Sequence, residues 1–215
     1  ADIRPDDFAV LELSSFQLHS MHCAPDVAII TNISPNHLDV HPDLEDYVSA
    51  KCSIYRGQRP DGCLVLNARD AHTPRFAAEA PGSVRYFSSI GPVENGVYCS
   101  DGVIYRAHGG KAEKLIDVSD IRIPGAHNVE NYMAAFAATD GLVGQAACVQ
   151  VVRSFAGVPH RMERIRELNG ITFINDSIAS SPTRTIAGLH ALPKPPVIIL
   201  GGHDKQIPFD ELGDE

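Results

Sequence analysis

Positive charge is in short supply. The 215 residues carry 18 Lys and Arg against 27 Asp and Glu, a formal net charge of −9. No basic stripe stands out, which argues against nucleic acid and against anionic membrane surfaces as partners. Paired cysteines are lacking too: Cys23, Cys52, Cys63, Cys99 and Cys148 are odd in number and scattered, with no C-x-x-C. That usage points to reduced thiols in a cytosol rather than to a disulfide framework. No apolar run approaches the ~20 residues that a membrane span needs. The first residues have no charged n-region and no apolar h-region, so no signal peptide is read there. There is no internal repeat and no low-complexity tract. The phosphate-cradling pattern G-x-x-x-x-G-K-[ST] is missing as well; Gly110-Lys111 is followed by Ala and preceded by no suitable glycine. The chain starts Ala-Asp-Ile and stops at Asp-Glu soon after a strand-like run, and both ends read as cut from something longer.

What is present is an α/β pattern. Phe8–Leu13, Asp26–Thr31 and Gly62–Leu66 read as strands; Val-Ala-Ile-Ile in the second is a continuous apolar run, as expected of a strand covered on both faces. A helix is expected over Asp43–Tyr55 and another over Ala71–Ala80. Strands alternating with helices imply a mostly parallel sheet flanked by helices. Val84–Arg106 reads instead as a small antiparallel appendage, with Asp101-Gly102 as the turn of a hairpin over Tyr98–Tyr105. Helices follow over His127–Leu142 and Gln145–Phe155. Ala156-Gly157-Val158-Pro159 reads as a boundary, giving domains 1–157 and 158–215. The second opens with Glu163–Leu168 and Ile171–Asn175 around Asn169-Gly170, a hairpin signal. A helix over Pro182–Leu192 and a strand over Val197–Leu200 then suggest an incomplete Rossmann-like α/β domain.

Several residues carry chemistry. Lys51 lies seven residues after Leu44, which at 100° per residue places it within about 20° of that leucine on the apolar stripe of its helix. Either its stem packs and its head snorkels to water, or burial disfavours the ammonium and leaves a reactive or ligand-paired lysine. Glu12 ends the first strand candidate, and His37 sits in the loop after the second. Ligands of open parallel sheets bind beyond the carboxyl ends of the strands, so both would face one crevice. A carboxylate and an imidazole there suit Mg²⁺, whose remaining positions go to water and phosphate oxygens. Glu12 taken alone also suits a solvated surface position. His37-Leu-Asp-Val-His41 raises zinc, but no strong signature supports it. Asn128 and Asn131 share a helix face and suit either capping or an adenine edge. Arg161, Asp176 and Lys205 lie in turn-like segments, where Arg161 could grip a phosphate.

Taken together, six segments resemble the Mur ligase family and occur in its order: Leu11–Leu18, Thr31–Asp39, Tyr47–Lys51, Gly125–Asn131, Pro159–Glu163 and Asn175–Ser180. The resemblance implies an ATP-dependent carboxylate–amine ligase of the cytoplasm that works through an acyl phosphate in peptidoglycan precursor synthesis. It implies Mg²⁺ held by Glu12, His37 and Lys51, the lysine as a CO2-derived carbamate, with these three as the catalytic set. Asn128 and Asn131 match adenine-side residues, Arg161 and Asp176 nucleotide contacts, and Ser180 and Lys205 positions near the incoming amino acid. The Ser-Ser-Phe-Gln and Asn-Asp-Ser segments favour the member that joins D-glutamate to UDP-N-acetylmuramoyl-L-alanine in a monomeric enzyme. Ile178 departs from the family, which often has Lys there. Without its phosphate loop the chain alone is expected to be inactive. The rival readings are another Mur ligase, a folylpolyglutamate synthase relative, or a binding module without catalysis.

Overall fold

The computed structural model describes residues 3–4, 6–33, 41–202 and 208–213. The chain divides into two compact units, Ala1–Phe87 and Ser88–Glu215.

In the first unit, β1 (Val27–Ile30), β2 (Cys63–Asn67) and β3 (Ser83–Ser88) run parallel, with Val27 opposite Cys63 and Cys63 opposite Ser83. Three helices accompany them: α1 (Ser15–Ser20), α2 (Leu44–Arg56) and α3 (Thr73–Glu79). The central strand β2 is buried at every residue, as a parallel strand with neighbours on both sides must be. Val48, Cys52 and Tyr55 of α2 close over Leu64 and Leu66 of β2 and Phe76 of α3. α2 starts where its sequence says it should. Asp43 is the N-cap, and its carboxylate accepts from the Asp46 amide at 2.8 Å, relieving one orphan donor of the first turn. It stops at Gly57, where any Cβ would run into the Cys23 carbonyl.

In the second unit, β4 (Gly96–Ser100), β5 (Val103–His108) and β6 (Lys111–Asp117) form an antiparallel meander. Its first turn places Asp101 and Gly102 at φ 50° and 74°, and its second places Gly109 and Gly110 at 54° and 75°. Both are the left-handed pairs that two-residue hairpins favour. α4 (Ala126–Thr139) and α5 (Gln145–Ser154) follow, then the hairpin β7 (Glu163–Leu168)/β8 (Ile171–Asn175), then α6 (Pro182–His190) and the short α7 (Asp210–Gly213). Among the described residues no helix is long and apolar enough to cross a membrane.

The parallel sheet, its helices and the antiparallel region are as expected. Four expectations fail. Phe8–Leu13 and Val197–Leu200 are not strands; neither run has a strand partner among the described residues, and an unpaired run cannot form a ladder whatever its propensity. Val84–Ser88 belongs to β3 and pairs parallel with β2 rather than opening the antiparallel region. α4 ends at Thr139 rather than Leu142: Asp140 leaves the helical region at ψ 126°, and Gly141 follows at φ 84°. The short helices α1 and α7 go unanticipated, as does β6, whose polar opening Lys-Ala-Glu-Lys hides the strand.

Candidate active site

Of the residues proposed for chemistry in the first unit, Glu12 lies by the start of α1 and Lys51 on α2. Glu12 is exposed, just ahead of α1. Lys51 is half-buried on α2. Burial pushes the Lys51 ammonium below the ordinary lysine range, and the negative charge of Glu12 pulls it part of the way back. The two groups therefore lie within electrostatic reach of each other. The Lys51 Nζ also stands over the Tyr47 ring, 5.2 Å from its centroid, a distance at which the π face attracts a cation. Neither of the two readings of Lys51 holds unmixed: the stem packs, yet the head stays in a site that penalises its charge.

His37 and Lys205 lie outside the described residues. The chain on either side of the 34–40 segment is held firmly. On the entry side, the Asp70 carboxylate accepts from the Ile33 amide at 2.6 Å, and the Asn67 amide donates to the Thr31 carbonyl at 3.1 Å. Both anchors stand at or just past the end of β2. On the exit side, His41 has its Nδ1 2.6 Å from the Asp46 carboxylate and its Nε2 3.0 Å from the Ser15 hydroxyl. The hydrogen bond from His41, more than any other influence, holds the Asp46 carboxyl below the ordinary carboxylate range. With both ring nitrogens committed, His41 is not a zinc ligand in this arrangement.

The Ser-Ser-Phe-Gln segment explains itself locally. Ser14 is the N-cap of α1 and forms a capping box with Gln17: the Gln17 amide donates to the Ser14 hydroxyl, and the Ser14 amide to the Gln17 side chain. The motif thus sets where α1 begins and where the Glu12 backbone enters it.

In the second unit, Asn128 and Asn131 do share a face of α4. The Asn128 amide donates to the Pro124 carbonyl, and the Asn131 amide reaches the Asn128 oxygen at 3.4 Å. Neither is the N-cap, which is Gly125. Asn131 is exposed and Asn128 buried, so Asn131 is the member of the pair open to a ligand. Arg161 is exposed between His160 and Met162, both at positive φ (65° and 46°). That turn is laced to the segment after β8: Asp176 accepts from the Met162 amide at 2.9 Å, and the Ile178 amide donates to the His160 carbonyl at 3.2 Å. One Asp176 oxygen is therefore occupied in shaping the turn that displays Arg161. Ser180 is exposed.

The sequence raised His41 only as a zinc candidate, and gave no site role to Ser15, Tyr47, Asn67 or Asp70. The pairing of His41 with Ser15, 26 residues away, is one that no local pattern reveals. Asn67-Ala-Arg-Asp70 at the carboxyl end of a strand candidate was a usable signal, since that end is where ligand-bearing loops gather.

A family model described as the Mur ligase middle domain matches residues 4–139. A UDP-N-acetylmuramoylalanine–D-glutamate ligase of Acetivibrio thermocellus is 50% identical over 212 residues, covering 99% of this chain and 46% of the relative. One from Clostridium kluyveri is 46% identical over 220 residues, covering 100% of this chain and 46% of the relative. The chain thus spans a little under half the length of these relatives. Among solved structures, MurF from Acinetobacter baumannii superposes with a TM-score of 0.65 at 22% identity, over 83% of this chain and 40% of that one. The Thermotoga maritima MurF ligase in complex with ADP gives 0.54 at 20% identity, over 79% and 40%. At such identities the likeness speaks for the fold.

Proposed function

The chain belongs to the Mur ligase family, and we propose that it forms the central part of an ATP-dependent ligase joining D-glutamate to UDP-N-acetylmuramoyl-L-alanine. The identity of 46–50% to ligases of that name, along nearly the whole chain, is what carries this choice of substrates. In this reading residues 1–157 are the nucleotide-binding domain and 158–215 open the amino-acid-binding domain. The substrate carboxylate takes the γ-phosphate of ATP, giving an acyl phosphate. The amine of D-glutamate then attacks the acyl carbon and phosphate leaves. The work is monomeric and cytoplasmic, a step of peptidoglycan synthesis.

The donors at the first unit's site fit a hard divalent cation. Lys51 has an amine whose charged form is disfavoured by burial, so more of it is neutral and able to add CO2 than an ordinary lysine offers. The carbamate so formed would supply oxygens beside the Glu12 carboxylate, and with His37 these would hold Mg²⁺. When bound, the ion offsets negative charge on the phosphates and the substrate carboxylate. Forming the carbamate also takes Lys51 off the Tyr47 ring, whose π face repels an anion. Asn128 and Asn131 lie on the adenine side, Arg161 and Asp176 contact the nucleotide, and Ser180 and Lys205 lie near the D-glutamate. The hydrophobic Ile178 gives no charge to that pocket, so its carboxylate contacts come from other residues. The phosphate loop, absent from the 215 residues, comes from sequence outside them.

The test is a chimera in which these 215 residues replace the matching segment of the Clostridium kluyveri ligase. It should form product from D-glutamate with ATP, and none from L-alanine or a diamino acid; preference for another amine would reassign the substrate. The 215-residue chain alone should show no turnover. In the chimera, Lys51→Ala should lower kcat by about 100-fold or more, with partial recovery in short carboxylic acids. Full activity in that variant would remove Lys51 from the site.

A further inference from the structure

His41 stands between α1, which Glu12 precedes, and α2, which carries Lys51. Its ring is 3% exposed and every edge of it is in use. An ionised carboxylate can only accept, so Nδ1 donates to Asp46, while Nε2 lies 3.0 Å from the Ser15 hydroxyl. Ser15 is the first residue of α1, and Asp46 lies in the first turn of α2. Phe16 stacks on the imidazole at 5.5 Å between centroids, and Tyr47 meets it edge-on at 5.4 Å. Tyr47 is in turn the ring over which the Lys51 Nζ sits. Asp46 also reaches His19 near the end of α1, at 3.4 Å. A continuous path of contacts therefore runs from the α1 start, just after Glu12, through one imidazole to the Lys51 amine.

Serine, histidine and aspartate in this order are also the parts of a hydrolytic triad. The nucleophile reading fails on access: Ser15 is itself 3% exposed, with its hydroxyl turned to the imidazole. The arrangement fixes geometry instead.

We propose that His41 is a positioning residue, locking the start of α1 to the Tyr47–Lys51 face of α2 so that Glu12 and Lys51 address one ligand together. The role as stated rests on the function proposed above; the geometry beneath it does not. Val48, fully buried on the same helix and in none of these contacts, is the control for a loss of stability without loss of the lock.

Two measurements test this. In the 215-residue chain, NMR cross-peaks between the Tyr47 ring and the Lys51 ε-methylene should be present in the parent and in Val48→Ala, and lost in His41→Ala. In the chimera, His41→Ala should lower kcat by about 100-fold with the KM for ATP little changed, the pattern of misplaced groups rather than weakened binding, whereas Val48→Ala should not. Cross-peaks and kcat that both survive His41→Ala overturn the proposal. If the parent chimera makes no product while the cross-peaks vanish in His41→Ala, the lock stands and the ligase reading falls. Should His41→Ala fail to fold, His41→Asn decides. It keeps a donor near the Nδ1 position and lacks a group at the Nε2 position, so a folded variant with lowered kcat supports the role and one with parental kcat sinks it.

Discussion

Cys63-Leu-Val-Leu-Asn67 and Val197-Ile-Ile-Leu200 are written in nearly the same letters and end in opposite states. Every residue of the first is buried in β2, hydrogen-bonded to β1 on one side and β3 on the other. In the second, Val197 is 97% and Ile199 95% exposed, and no strand forms. Phe8–Leu13 behaves like the second run, with Val10 94% exposed. Branched apolar residues make a segment ready to be a strand; a neighbour on each side makes it one. The run's own sequence sets the readiness, and the rest of the sheet decides whether it is used.

The sharpest way to break the comparison is to cut the same volume from each run. Leu64 has no exposure and packs among Val48, Tyr55 and Phe76. Leu64→Ala should cost about 2–5 kcal/mol, the transfer and cavity cost of a core leucine, read as a lower urea midpoint for the unit that contains β2. A loss under about 1 kcal/mol would mean that β2 is not the centre of a closely packed layer.

The same contrast explains how much was legible beforehand. β2 and α2 could be read because their partners lie next to them in sequence and their apolar periods matched their true surroundings. The hairpin turns at Asp101-Gly102 and Asn169-Gly170 could be read because φ is a local property: Asn169 and Gly170 sit at 51° and 77°. Within the site, the burial of Lys51 was legible from helix phase, whereas Glu12 was placed by the end of a strand that does not form, although its charge does act on the Lys51 amine. His41 was not legible, because its meaning depends on Ser15, which lies 26 residues away. The bond of Asp176 to the Met162 amide belongs to turn geometry that no spacing announces.

A smaller effect should come from the boundary of the helix that carries Lys51. Asp43→Ala removes the N-cap acceptor of α2 and should destabilise the first unit by about 1 kcal/mol. Asp43→Ser should restore most of it, since the hydroxyl can accept the same amide. If alanine costs nothing, the cap seen at 2.8 Å is replaced by water in solution.

Acid titration separates the tightly held unit from the open runs in another way. The Asp46 carboxyl is held below its ordinary range chiefly by the His41 hydrogen bond. A depressed folded-state pKa adds stability that is fully present above the unfolded value, near 4, and is lost as pH falls through the folded one. Stability of the first unit should therefore decline below about pH 4, and Asp46→Asn should flatten part of that decline. A parent and variant with parallel acid limbs would show that the imidazole gives the carboxylate no preference for its charged form.

The least effect is expected where the apolar letters are most exposed. Ile199 has no core to leave, so Ile199→Ser should change the unfolding free energy by less than about 0.5 kcal/mol, against the several lost at Leu64. The prediction separates two reasons for the exposure of residues 197–200. If the run stands open to water in solution, removing its side chain deletes no cavity wall and strands no polar group, and stability stays put. If the run is covered in solution, serine buries a hydroxyl without a partner, and the loss approaches that of a core position. A large loss at Ile199 would thus place a neighbour against Val197–Leu200 and make it a strand of the β2 kind.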